Sequence, residues 1–349
     1  MSELVYKAPR EVELRGSAQP EPHGPLDVVV SIEAVGICGT DLGIVSGTYP
    51  AARPPVVLGH EASGTVRGVG SAVTDLRPGD RVVIDPTYSC GHCRMCTTGR
   101  PNHCLRKEGT ERGVSADGAF RPFYLAERRF IHRFSEQLDF AAAALTEPLS
   151  CALTGVAQVN PRTDASAAVI GAGPMGLLYS HALATRGVVG SLVEPSRARR
   201  ELAEATMPAR WRIVENLDRV VEQTPHGHVA ELGIDLIVDT SGRAVEPALQ
   251  RLARGGQVLA VGLGGGAIAV DPGVFADESK RIVGSIDSLD GSFAAALDLI
   301  ESGRLPANAI VSHTFALSEY RQAFGELGID LRRRRRMAPG AALKVVLKP

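Results

Sequence analysis

Neither sign of charge is in surplus in this chain: 38 Lys and Arg stand against 39 Asp and Glu, a formal net charge of −1. A near-neutral chain sets up no field that gathers nucleic acid or an anionic membrane surface. No window approaches the roughly 20 uninterrupted apolar residues of a membrane span. The first residues, Met1-Ser2-Glu3-Leu4-Val5-Tyr6-Lys7, place an acid early and show no apolar core of a signal peptide. Cysteine is scarce, six in all, yet four of the six fall between Cys90 and Cys104. Two-residue gaps are too tight for a comfortable disulfide framework but suit thiolates that converge on one metal ion. That pattern implies a reducing compartment, and the cytoplasm is expected.

A length of 349 residues predicts two domains, each able to bury its own core. Hydrophobic residues make up 44% and charged residues 22%, as in a globular protein. From Leu4 to about Arg133, Gly and Pro break the chain into short β segments. Asp27–Ile32, Gly64–Val69 and Asp80–Ile84 are examples, which predicts a β-rich, barrel-like domain. Cys90, Cys93 and Cys96 follow at two-residue gaps, and Cys104 completes a set of four. A closed four-thiolate shell leaves no open position, so a zinc held there is structural. Small iron–sulfur clusters use the same ligand count. His92 and His103 are expected on the surface, because the thiolates already complete the set.

A second group of metal-ligand types precedes the lobe: Cys38 in Gly36-Ile37-Cys38-Gly39-Thr40-Asp41, then His60 and Glu61 in Gly59-His60-Glu61. Three protein ligands suffice for a catalytic zinc, leaving a position for water or substrate.

The second half changes character. After a helical stretch Asp139–Val159, the apolar run Ser166–Ile170 reads as a buried strand. It leads into Gly171-Ala172-Gly173-Pro174-Met175-Gly176 and an apolar helix from Leu177 to about Thr185. Strand, glycine turn, helix and an acid ending the next strand at Glu194 together predict a dinucleotide site. Gly171 allows the tight turn, Gly173 lets backbone approach the diphosphate, and Gly176 lets helix and sheet pack closely. Pro174 sits in the first turn of a helix whose free N–H groups face the diphosphate. Glu194, eighteen residues after Gly176, accepts from ribose hydroxyls and repels a 2′-phosphate, favouring NAD over NADP. Arg197 and Arg199 stand close enough to assist NADP. Further strands at Arg212–Val214, Ile234–Asp239, Gly255–Leu263 and Arg281–Ile286 alternate with helices, one around Ala244–Arg254. They predict a doubly wound parallel sheet of about six strands. A helix at Ser292–Ser302 and closing strands through Lys344–Leu347 return the chain to the first domain.

In this order, Gly36–Asp41, Gly59–Glu61, the four-cysteine lobe and Gly171–Gly176 resemble the medium-chain, zinc-dependent alcohol and polyol dehydrogenases over nearly the whole chain. Thr146-Glu147-Pro148-Leu149-Ser150 is similar to the sorbitol, threonine and sugar dehydrogenase branch. The resemblance implies a GroES-like catalytic domain at 1–150 and 288–349, and a Rossmann NAD-binding domain at 151–287. It implies two zinc ions, a structural one on Cys90, Cys93, Cys96 and Cys104 and a catalytic one on Cys38, His60 and Glu147. Glu61 is implied as an alternate or water-mediated ligand. Thr40 is implied to take the alcohol proton, and Asp41 to orient His60. Val261, Gly262, Leu263, Ser285 and Ile286 are implied to lie near the nicotinamide. Where many relatives carry a proton-passing His, five residues after Cys38, this chain has Gly43. Glu111, seven after Cys104, matches an acid that contacts sugar hydroxyls in relatives, and Asp287 suits an amine on the substrate.

The expected activity is reversible hydride transfer between NAD and a secondary alcohol of a polyol, sugar or cyclitol. An aldose 1-dehydrogenase, an amino alcohol dehydrogenase and a non-catalytic NAD-binding sensor are the alternatives. The expected partner is a small molecule, with neither nucleic acid nor membrane, in a homodimer or homotetramer. Arg332–Arg336, five arginines in a row, is expected on a solvated face.

Overall fold

The computed structural model describes residues 1–221, 232–289, 291–337, 340 and 342–349. The chain divides into two compact units: Met1–Ser150 with Ser288–Pro349, and Cys151–Asp287.

The first unit is built around one long strand, Asp27–Gly36, whose Val28, Val30, Ile32 and Val35 side chains are buried. β-Branched side chains pack well on a pleated surface, which is why this run holds a sheet together. It pairs antiparallel with Glu61–Val69, with Phe123–Glu127 and with the closing strand Lys344–Lys348. Arg81–Ile84, Ile131–Arg133 and Val311–Ala316 extend the same sheet to seven strands. Ser2–Ala8 forms a smaller sheet with Glu11–Gly16 and Val56–Val57. Leu4, Val30, Ile44, Leu58, Phe120 and Phe324 fill the core between them. Each fully buried aliphatic or aromatic side chain contributes about 1.5–3 kcal/mol. The register matters for the site: Gly36 pairs with Glu61 on one side and with Val346 on the other. Cys38, His60 and Lys344 are thereby delivered to the same end of three neighbouring strands.

The second unit carries six parallel strands: Ser166–Ile170, Val189–Val193, Arg212–Val214, Ile234–Asp239, Leu252–Ala260 and Arg281–Gly284. Their spatial order is third, second, first, fourth, fifth, sixth. This is the doubly wound order, with its switch point between the first and fourth strands.

Two elements differ from expectation. The helical stretch Asp139–Val159 is two helices, Phe140–Ala143 and Thr146–Val159. Asp139 caps the first by accepting from the N–H groups of Ala141 and Ala142. By length and composition Phe140–Val159 passes for a membrane span, but 72% of its apolar window is buried inside the protein. The helix expected over Ala244–Arg254 spans only Val245–Leu249, and the next strand begins at Leu252. Leu252 and Ala253 are buried at the sheet, Leu252 opposite Ile234, so packing overrides their helical preference.

Candidate active site and metal centres

In the cysteine lobe, the sulfurs of Cys93 and Cys96 lie 3.5 Å apart, those of Cys93 and Cys104 3.9 Å, and those of Cys90 and Cys96 4.0 Å. Sulfurs at the corners of a tetrahedron with ~2.3 Å metal bonds stand about 3.8 Å apart. A disulfide requires ~2.05 Å, and all six cysteines are free thiols. Main-chain N–H groups point at the sulfurs: Cys93 N to Cys90 Sγ at 3.3 Å, Cys90 N to Cys104 Sγ at 3.3 Å and Arg106 N to Cys104 Sγ at 3.4 Å. Such donors favour thiolate, and N–H groups of Cys96 and Leu105 draw the Cys93 thiol down to about 6. Donor set and spacing both fit one tetrahedral ion.

The second cluster forms where the helix Gly39–Ser46 meets the strand Glu61–Val69. Ligand atoms of Cys38, His60 and Glu61 lie within 4.8 Å of one another. His60 Nδ1 is buried without a hydrogen-bond partner among the described residues. A buried nitrogen left open beside a thiol and a carboxylate fits a metal ion. Burial alone lowers the His60 pKa, but Cys38, Asp41 and Glu147 outweigh it and hold the imidazole well above its ordinary value. Thr40 sits in the helix's first turn, its Oγ1 3.8 Å from Cys38 Sγ.

Glu147, expected as an inner ligand, stands outside that 4.8 Å group but in the field of His60, Glu61 and Lys344. Burial, reinforced by Glu61, lifts its carboxyl to about 7 against the pull of His60 and Lys344. Asp41 acts differently from expectation. Its carboxylate accepts from the main-chain N–H of Cys38 at 2.8 Å and of Gly59 at 3.2 Å, not from the imidazole. Placed at the third position of its helix, it reaches back to the residue before the first turn, as capping acids do. It thus ties the Cys38 loop to the His60 loop.

Lys344 is the residue that sequence reasoning passed over. Its ammonium is buried, pairs with Glu61 and donates to the Ile37 carbonyl at 3.0 Å. Burial lowers its pKa, while Glu61, Cys38 and Glu147 reverse that and keep it charged. Gly36 makes room for the pair: a Cβ there would lie 1.9 Å from Glu61 Oε2 and 2.7 Å from Lys344 Cε. A lysine at an inward position of the apolar run Ala342–Leu347 was the available signal.

Tyr49 packs beside Gly43, where a Cβ on the glycine would lie 3.2 Å from the Tyr49 Cβ. Burial first, then the charges of Glu111 and Cys38, raise its phenol. Glu111 itself pairs with Lys107 at 3.5 Å. Asp287 sits in left-handed backbone at φ 55. The arginine run is exposed on a hairpin, Ile329–Asp330 with Arg335–Arg336, and Arg336 donates to Ser46 Oγ at 2.8 Å.

In the second unit, Gly171 has φ +104, and a Cβ on Gly176 would meet the Gly171 carbonyl at 1.8 Å, so both positions demand glycine. Gly173 precedes the helix Pro174–Ala184, and Met175 lies in its first turn. Glu194 accepts from Ala172 N at 3.0 Å and Ser196 N at 2.9 Å, which fixes it against the glycine turn. Arg199 Nη1 reaches within 4.0 Å of where a Gly173 Cβ would stand. Val261 and Gly262 donate to the Asp239 carbonyl, and Ser285 to that of Ala260. Leu263 and Ile286 are exposed.

The alcohol dehydrogenase GroES-like domain model matches residues 24–136. D-xylulose reductase A of Aspergillus niger is 30% identical over 338 residues, covering 93% of this chain and 92% of that one. Sorbitol dehydrogenase of Halalkalibacterium halodurans is 29% identical over 336 residues, covering 95% and 94%. Among solved structures, one assigned as a zinc-binding dehydrogenase, from Sinorhizobium meliloti 1021 with NADP bound, matches with TM-score 0.86. Its identity is 29%, and the match covers 100% of this chain and 99% of that one. Alcohol dehydrogenase TADH from Thermus sp. ATN1 gives TM-score 0.84 at 27% identity, covering 100% and 99%. A GroES-like β domain and a doubly wound parallel sheet in one chain, together with the two clusters of metal-ligating side chains, are what it shares with zinc-binding dehydrogenases. The chain belongs to the medium-chain, zinc-dependent alcohol and polyol dehydrogenases.

Proposed function

We propose that this enzyme reversibly oxidises a secondary hydroxyl of a polyol, sugar or cyclitol, with NAD as hydride acceptor. One observation carries the reading: thiol, imidazole and carboxylate converge within 4.8 Å in a chain that also bears the Gly171–Gly176 turn. Cys38, His60 and Glu147 would hold the catalytic zinc, with Glu61, the carboxylate that already stands within 4.8 Å of the other two, as alternate ligand, and Cys90, Cys93, Cys96 and Cys104 would hold the structural one. A zinc bound there would supply Lewis acidity, under which the alcohol loses its proton at neutral pH. Thr40 would relay that proton: its hydroxyl accepts from the alcohol as it hands its own hydrogen on to the cofactor ribose or to water, since Gly43 offers no base. Asp41 keeps the Cys38 and His60 loops in register. Glu194, held at the glycine turn, takes the adenosine ribose and disfavours a 2′-phosphate, so NAD is the preferred cofactor. Glu111 and Asp287 are the proposed substrate contacts.

The enzyme works in the cytoplasm, a reading supported by four free thiols at metal rather than disulfide spacing. It assembles as a homo-oligomer. Supporting this, Leu263, Val274, Ile282 and Ile286 are 40–63% exposed around the sheet's sixth strand. That strand pairs only with the fifth among the described residues. An open edge flanked by apolar side chains is a template for a second copy.

The deciding experiment is Cys38→Ser. Metal analysis is expected to show about one zinc lost of two. NADH formation from a panel of polyols, aldoses and aminocyclitols should vanish, while NADH binding persists. Retained turnover in this variant would overturn the reading.

A further inference from the structure

Asp239 closes the fourth strand of the parallel sheet directly beside Ile170, which closes the first. These two strands flank the switch point, where a dinucleotide lies across the carboxyl ends of a doubly wound sheet. The first strand's turn, Gly171–Gly176, serves one half of such a ligand. The segment following Asp239 forms the other wall of the crevice.

That segment is held by one carboxylate. Asp239 is fully buried, and its Oδ1 accepts from Ser241 N at 2.9 Å, Ser241 Oγ at 2.6 Å and Gly242 N at 3.2 Å. Its Oδ2 accepts from Ala244 N at 2.9 Å. Three main-chain N–H groups and a hydroxyl thus surround an acid at the start of the helix Val245–Leu249. Such a nest of N–H groups is the kind that binds phosphate. Here the protein's own carboxylate fills it, which leaves the glycine turn of the first strand to take the diphosphate. The Asp239 main-chain carbonyl also accepts from Val261 N at 3.1 Å and Gly262 N at 3.0 Å, so the same residue anchors the loop after the fifth strand.

The anchored segment fits its neighbours without slack. A Cβ on Gly171 would meet Thr240 Oγ1 at 2.9 Å, and one on Gly262 would meet Gly242 N at 2.1 Å. Thr240 Oγ1 donates to the Ile170 carbonyl at 2.8 Å. A small shift of this segment therefore moves the loop at Gly262, where backbone lies against backbone, while toward Gly171 only the Thr240 side chain need adjust.

We propose that Asp239 is a positioning residue whose carboxylate fixes Thr240–Ala244 as the wall against which the nicotinamide half of the cofactor rests. The inference deepens the reading of this unit as an NAD site and rests on it. In Asp239→Asn, an amide N–H2 faces either the Ala244 N–H or the Oδ1 donors, so the segment loosens. The test measures binding of NADH and of 5′-AMP to the zinc-loaded enzyme and to the variant.

Asp239→Asn should weaken NADH by about tenfold or more and leave 5′-AMP within about twofold, since AMP lacks the nicotinamide half. Equal NADH affinity in variant and parent overturns the proposal. An equal loss for both ligands also overturns it, because the carboxylate then supports the unit as a whole. Failure of the unsubstituted enzyme to bind NADH removes the underlying reading, a separate outcome. If Asp239→Asn does not fold, Ser241→Ala replaces it. Loss of that hydroxyl donor should weaken NADH selectively over 5′-AMP, and an unchanged ratio overturns the proposal.

Discussion

Lys344 and Glu61 form a buried ion pair whose partners stand 3% and 1% exposed, so neither charge has water to fall back on. Removing one member of such a pair leaves an uncompensated charge, which costs about 3–5 kcal/mol. Lys344→Met is therefore expected to destabilise the metal-stripped protein by about that amount in urea unfolding. Adding Glu61→Gln should restore most of the loss, because the two changes are coupled. Additive losses would show that the pair is not a unit. Glu147 gives a pH-dependent counterpart. Its folded carboxyl is raised to about 7 from an ordinary 4.5, so the folded state binds a proton that the unfolded chain releases. The resulting stability is present below about 4.5 and is lost as pH rises through about 7. Metal-stripped protein should melt at higher temperature at pH 5 than at pH 7.5, and Glu147→Gln should shrink that difference. His60, also raised, contributes with the same sign. An unaltered difference in the variant would reassign the effect to other groups.

Loops and strands explain why some features could be read from sequence and others not. The cysteine lobe and the glycine turn are local: their residues lie within a few positions of one another, so spacing alone reports the geometry. Strand Ile234–Asp239 was equally plain, since its apolar run is short and bounded by turns. Leu252–Arg254 was misread as helix because no local signal distinguishes it; its state is set by pairing opposite Ile234. Asp41 was given the right neighbourhood and the wrong partner, because capping and imidazole contact use the same carboxylate. The Lys344–Glu61 pair and the Gly36 space were not legible at all. They depend on antiparallel strands brought side by side from opposite ends of the chain.

The proposed assembly rests on the open edge at Arg281–Gly284. Ile282 is 40% exposed in the middle of that strand. Ile282→Arg places a charge at any contact made there, and like charges opposed across a two-fold axis repel. Sedimentation should show a smaller species for this variant at the concentration where the parent is oligomeric. An unchanged mass would move the interface elsewhere. Because the zinc cluster belongs to the other unit, metal content should be the same in both forms.

The first unit is assembled from both ends of the chain, Met1–Ser150 and Ser288–Pro349. This imposes an order in time. Every proposed ligand of both metal centres has been synthesised once Glu147 is made, yet Lys344 follows only after more than half the chain has been added. Until then Glu61 has no cation to face, and the strand Asp27–Gly36 has no neighbour on the Lys344–Lys348 side. Metal arriving early meets Glu61 without its lysine; metal arriving after Lys344 is made meets the completed ion pair. The strand Lys344–Lys348, made after every proposed ligand, is the one that finishes the first site.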